Sequence, residues 1–93
     1  MIQSFRDKRS LALSRGRHVK GFPTELIERA RVKLAMIEAA TELRDLESPP
    51  GNQLEALQGN RSGQHGIRIN RQWRICFWWR EGDAHDVEVV DYH

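Results

Sequence analysis

Two consecutive prolines, Pro49 and Pro50, split the chain into halves with different hydrophobic periods. A helix cannot run through them, because each lacks an N–H and its ring crowds the preceding turn. Before the prolines, Leu26, Ile27, Ala30, Leu34 and Ile37 recur at helical spacing. Pro23 and Thr24 suit a helix start, and Glu25 and Glu28 put negative charge in the first turns, where the dipole favours it. This pattern predicts a helix running to about Leu43. A shorter helix is expected over residues 6–15, anchored by Leu11 and Leu13 and stopped by Gly16. Ile2 to Phe5 reads as a short opening strand.

After the prolines the period falls to two. Leu54 and Leu57 anchor a bridging segment, and Gly59 to Gly63 reads as a polar turn. His65 to Ile69 alternates, with Ile67 and Ile69 opposite Arg68, and Asn70-Arg71 is a tight connection. Trp73 to Arg80 is the strongest strand. Trp73, Ile75, Phe77 and Trp79 share one face, and Arg74, Cys76, Trp78 and Arg80 share the other. Glu81-Gly82-Asp83 makes a hairpin turn into a last strand that ends near Tyr92. The expectation is an α+β domain with two N-terminal helices packed on a small antiparallel β-sheet.

At 93 residues and 39% hydrophobic content, the chain has room for one domain, residues 1–93, and no second one. No apolar run reaches the ~18 residues a membrane span needs, and the first residues carry no apolar signal segment. A cytoplasmic protein without a membrane partner is expected. The single cysteine, Cys76, excludes an internal disulfide scaffold and reads as packing. No pair among His18, His65 and His85 has ligand-like spacing, so neither a metal nor a cofactor is expected.

The net charge is only +2, but its distribution is uneven. Arg6, Lys8, Arg9, Arg15, Arg17 and Lys20 stand against one acid, Asp7, and Ala56 to Arg80 carries five arginines and no carboxylate. If the two segments meet, they form a patch suited to phosphates. The helices can cover only one face of the sheet. Ile67, Ile69, Trp73, Ile75, Phe77, Val87 and Val89 are its natural occupants, which sends Arg68, Arg74, Trp78 and Tyr92 to the other face. There arginine can grip phosphate and an aromatic ring can stack on a base. The rival reading makes Trp78 part of a second small core beneath a loop.

Asp91-Tyr92-His93 closes the sequence, so a terminal carboxylate is expected beside the only tyrosine and an imidazole. RNA cleavage by attack of the 2′-hydroxyl needs a proton acceptor, a cation on the phosphate and an acid for the leaving 5′-oxygen. Histidine serves as acid or base near neutral pH. His65, at a strand start beside an arginine-rich turn, is a further candidate for RNA contact.

The segment Leu54-Glu55-Ala56-Leu57-Gln58-Gly59-Asn60-Arg61-Ser62-Gly63, the block Ile67-Arg68-Ile69-Asn70-Arg71-Gln72-Trp73-Arg74 and the ending Val89-Val90-Asp91-Tyr92-His93 resemble the HigB family of bacterial toxins, within the RelE/ParE superfamily. The resemblance runs end to end. It implies a RelE/ParE-like fold and the toxin of a type II toxin–antitoxin pair, an endoribonuclease that cuts mRNA in the ribosomal A site without a metal. Carried onto this chain, it makes His93 the principal acid–base group and Tyr92 an orienting or stacking residue. Asp91 would position its neighbours, and Arg68 and Arg74 would hold the scissile phosphate. The basic residues from Arg6 to Lys20, with Arg61, would touch 16S ribosomal RNA of the 30S subunit. The implied partner is a HigA-like helix-turn-helix antitoxin, through which alone the toxin would reach operator DNA.

One departure bears on rate. Some members carry a histidine where this chain has Glu55, and others a lysine where it has Gln58. If those residues assist cleavage, this chain relies on His65 or His93, or cuts more slowly. Two rivals share the fold expectation: a ParE-like inhibitor of DNA gyrase, and a non-catalytic module that binds RNA or protein through its basic face.

Overall fold

The computed structural model describes residues 1–92; His93 lies outside the described residues. Among these, helix α1 spans Lys8–Ser14 and α2 spans Ile27–Ala39. Strands β1 (Glu55–Ala56), β2 (His65–Arg68), β3 (Trp73–Arg80) and β4 (Asp83–Asp91) form one sheet in the order β1-β2-β3-β4, every pair antiparallel. The α+β class, with two helices and a four-stranded antiparallel sheet, follows the expectation. No described helix is long and apolar enough to cross a membrane.

Each helix has a local cause. Asp7 caps α1, its side chain accepting the Ser10 N–H at 2.7 Å. Gly16 ends it at φ 72°, and the Gly16 and Arg17 amides donate to the Leu13 and Ala12 carbonyls. The stripe Ala30, Leu34 and Ile37 of α2 is fully buried in the core, worth roughly 1.5–3 kcal/mol for each large side chain. α2 stops at Ala39, short of the expected Leu43. Asp45 accounts for the difference. Its carboxylate accepts the backbone amides of Thr41 and Glu42 and starts a separate 3-10 turn, Leu43–Glu47, which buries Leu46. These hydrogen bonds hold the Asp45 carboxyl below its ordinary value.

Just beyond the cis Ser48–Pro49 bond, Asn52 is fully buried and donates to the Leu46 and Ser48 carbonyls. It also accepts from Lys33 of α2, so the proline segment is tied to the helix rather than hanging free. Burial lowers the Lys33 ammonium below its usual value.

All seven residues expected on the helix-facing side of the sheet are buried there, with Phe22 edge-on to Trp73 at 4.8 Å. In β4 the alternation breaks. Cys76 opposes Glu88 but Trp78 opposes His85, so β4 holds an extra residue beside Phe77, with Asp86 at φ 51°. The bulge lets both Ala84 and Val87, three apart, face the core.

The opening segment is not a full strand. Ile2 and Phe5 form isolated parallel bridges to Ala84 and Val87, with hydrogen bonds between Gln3 and Ala84, Ser4 and Val87, and Arg6 and Val87. Where this ribbon gives way to α1, the fully buried Ser10 hydroxyl accepts the Val89 N–H at 2.9 Å. The outer edge of β4 is thereby covered along most of its length, which removes a template for unwanted strand pairing.

Candidate active site

The sheet face away from the helices carries two rows of side chains. Across β2 and β3, Arg68 stands directly opposite Arg74, and Arg74 stands opposite Val90 of β4. In the next row Glu55, Gly66, Cys76 and Glu88 follow one another from β1 to β4. Two guanidinium groups facing each other across an antiparallel pair repel. Such a pair suits an anion that lies between them, and the arginine fork matches phosphate oxygens.

Arg74 is the better held of the two. Its side chain is 15% exposed, Nη1 lies 3.2 Å from Glu55 Oε1, and its guanidinium sits 5.3 Å from the centre of the Tyr92 ring. That Nη1 is buried and makes the ion pair without hydrogen-bond alignment, so part of its donor capacity is unspent. Tyr92 is fixed from below by its own N–H, which donates to the Gln72 carbonyl at 2.7 Å. Arg74 and Tyr92 therefore meet, and Arg68 stands across from Arg74 in the strand register. His93, the residue expected to act as acid, lies outside the described residues.

Asp91 is placed differently. It opposes Trp73, on the other parity from Arg74, and its carboxylate accepts Gln72 Nε2 at 3.0 Å. Through Gln72 it braces the turn on which the Tyr92 backbone rests. That turn is shaped by Asn70, whose side chain accepts the Gln72 and Trp73 amides.

His65 does not join the arginines. Its register partner is Phe77, so it belongs to the helix-facing side, half-buried, with Nδ1 enclosed and lacking a hydrogen-bond partner among the described residues. One residue of register separates it from the arginine face, which is the physical consequence of a period of two.

Trp78 has the expected parity but is not open. A Cβ built on Gly63, which sits at φ 96°, would come within 2.6 Å of its ring. Arg80 also stacks on that ring at 5.0 Å. Together with Leu57, buried against Gly66, this makes a small second cluster beneath the segment 57–64. The loop reading of Trp78 matches this packing better than a free stacking platform.

The two basic segments meet at one point. Arg61 Nη1 lies 3.1 Å from Glu88 Oε1, and Arg6 Nε lies 3.8 Å from the same oxygen. Lys8, Arg9, Arg15, Arg17 and Lys20 are exposed on α1 and the turn after it. Within the second row, Cys76 is fully enclosed, and burial pushes its thiol up to about 11. Sequence reasoning noted Glu55 only as a departure from the family and missed Glu88. Their common row follows from strand register, and no spacing in the sequence announces it.

Comparisons with known proteins agree with this architecture. The Staphylococcus aureus YoeB–YefM complex includes a chain that superposes with a TM-score of 0.62 at 13% identity, covering 100% of this chain and 98% of that one. At that identity the likeness concerns the fold alone. Endoribonuclease HigB of Proteus vulgaris is 33% identical over 93 residues, 100% of each chain. Toxin HigB-1 of Vibrio cholerae is 46% identical over 52 residues, a match that spans 56% of this chain and only 55% of that relative. The family model described as the RelE-like toxin of type II toxin–antitoxin system HigB matches residues 3–93. With a family match of that extent and a relative aligned over its whole length, the chain belongs to the HigB-like family of RelE-like toxins of type II toxin–antitoxin systems.

Proposed function

We propose that this toxin is an endoribonuclease that cuts mRNA in the ribosomal A site by attack of the 2′-hydroxyl on the adjacent phosphate, with no metal in the reaction. The observation that carries this reading is the facing pair Arg68 and Arg74 with Tyr92 against Arg74. In the reaction the 2′-oxygen–phosphorus bond forms as the phosphorus–5′-oxygen bond breaks. The two arginines hold the phosphate and offset the charge that grows on its oxygens. Tyr92 sets the angle of the Arg74 guanidinium and offers a ring for the neighbouring base.

Two proton transfers remain. His93 protonates the leaving 5′-oxygen. With His65 on the other face of the sheet, the Glu55 carboxylate beside Arg74 is the group available to take the 2′-hydroxyl proton. Asp91, through Gln72, holds the turn beneath Tyr92. Arg6, Lys8, Arg9, Arg15, Arg17, Lys20 and Arg61 supply the positive surface that meets 16S ribosomal RNA of the 30S subunit. Trp78 and His65 support this surface from within rather than touch RNA. The partner in the cytoplasm is a HigA-like helix-turn-helix antitoxin, and operator DNA is reached only through that complex.

Primer extension on an mRNA in a purified translation system tests the proposal. Wild-type protein should give cuts at A-site codons when ribosomes are present and none in ribosome-free reactions, with or without EDTA, and Tyr92→Ala with His93→Ala should abolish the ribosome-dependent cuts. Growth arrest without any cut would instead favour inhibition of DNA gyrase.

A further inference from the structure

Beside the arginine pair lies a cleft of about 280 Å³, lined by Arg6, Asn60, Arg61, Gln64 and Glu88. It is slightly smaller than a typical small-molecule pocket, which suits one heterocyclic base rather than a whole nucleotide. Its place in the sheet relates it to the proposed site. Val90 opposes Arg74, so Glu88, two residues earlier in β4, is a diagonal neighbour of Arg74. Such neighbours lie roughly 7–8 Å apart on the same face. A strand whose scissile phosphate rests on Arg68 and Arg74 would bring the adjacent nucleotide to this cleft.

The chemistry of the cleft is that of a base edge, not of a phosphate. A carboxylate at its wall repels phosphate. Glu88 is held in place: its side chain is 17% exposed, and Oε1 receives Arg61 at 3.1 Å with Arg6 at 3.8 Å. Oε2 has no partner among the described residues and is left to accept a hydrogen bond. Arg61 also donates to Gln64 Oε1 at 3.3 Å, which fixes the orientation of that amide and leaves its N–H₂ to donate. Asn60, exposed at the rim, adds a second amide. The cleft thus presents one fixed acceptor next to a fixed donor.

Resting on the nuclease reading, we propose that this cleft is a base-recognition subsite for the nucleotide next to the cut, selecting adenine or cytosine. Both carry an amino group that donates to Glu88, beside a ring nitrogen that accepts from Gln64. Guanine and uracil place a carbonyl oxygen at the corresponding position, where it abuts the carboxylate. Arg6 and Arg61 act as positioning residues that hold Glu88, and their charge is largely used within the protein.

The test is sequencing of cleavage ends from a transcript library in a purified translation system, for wild type, Glu88→Gln and Gln64→Ala. The readout is the ratio of amino to keto bases at each position around the cut, which is independent of the overall rate. Wild type should favour adenine and cytosine about fivefold at one position adjacent to the cut, the effect of one hydrogen bond. Glu88→Gln can turn an amide N–H toward a carbonyl, so its ratio at that position alone should fall toward one. Gln64→Ala, which leaves the carboxylate in place, should weaken the same ratio. Cleavage with no bias next to the cut, or with a bias unchanged in both variants, overturns the subsite and leaves the nuclease intact. No cleavage by the wild-type protein overturns both.

Discussion

Arg68 and Arg74 face each other directly across β2 and β3, one a half-buried strand end and the other pinned between Glu55 and Tyr92. A like-charged cross-strand pair costs the free protein up to about 1 kcal/mol. Arg68→Ala should therefore leave the thermal midpoint unchanged or raise it. The same change should slow cleavage by about 10²–10³-fold, the usual consequence of losing one group that stabilises developing charge. Sulfate should stabilise wild type more than chloride at equal ionic strength, and that difference should shrink in Arg68→Ala. Calorimetry and single-turnover cleavage check the two halves separately.

Glu55 lies 3.2 Å from Arg74 and is the second group to interrogate. If it takes the 2′-hydroxyl proton, Glu55→Gln should lower kcat by about 10²-fold or more and remove the acidic limb of the pH–rate profile. Glu55→His should restore part of the rate with the limb displaced upward. A Glu55→Gln enzyme that binds RNA more tightly and cuts as fast would show that the carboxylate serves only to neutralise Arg74.

Gly63 is a packing requirement. With φ at 96° and the Trp78 ring 2.6 Å from a built Cβ, Gly63→Ala must move the ring or the loop. The expected loss is about 1–3 kcal/mol of stability, read by urea unfolding. A red shift of tryptophan emission should accompany it as Trp78 is uncovered.

Ser10 closes the edge of β4. Removing its hydroxyl leaves the Val89 N–H buried and without its acceptor, because α1 covers that position. Ser10→Ala should cost about 1–3 kcal/mol and speed amide exchange at Val89, while Ser10→Thr keeps the acceptor.

Cys76 supplies a pH signature. Burial raises its thiol from 9.0 to about 11, so the folded state favours the neutral form. That contribution is fully present below pH 9 and is lost as pH rises through about 11. The native thiol should resist alkylation at pH 8 and react at the rate of unfolding, and Cys76→Ala should flatten the alkaline fall in stability.

The sequence alone settled whatever depends on local period. The double proline at 49–50 separates helix from strand, and alternation within Trp73–Arg80 sorts Trp73, Ile75 and Phe77 into the core and Arg74 onto the other face. The block around Arg68 and the Asp91-Tyr92-His93 ending carry the family resemblance in the sequence itself. Each of these is carried by neighbours in the chain, so no distant contact is needed to read it.

Tertiary structure decided what distant parts of the chain do to one another. Register alone puts His65 beside Phe77 and removes it from the arginine face, and puts Glu55 and Glu88 into one row at opposite ends of the sheet. The bulge at Asp86 is an extra residue in β4 that strict alternation has no means of signalling. α2 ends where Asp45 accepts two amides, because that local alternative competes with four more residues of helix. Sequence period names the face of a strand, whereas pairing partners across the sheet set which side chains meet, and that choice is made by the packing of the whole domain.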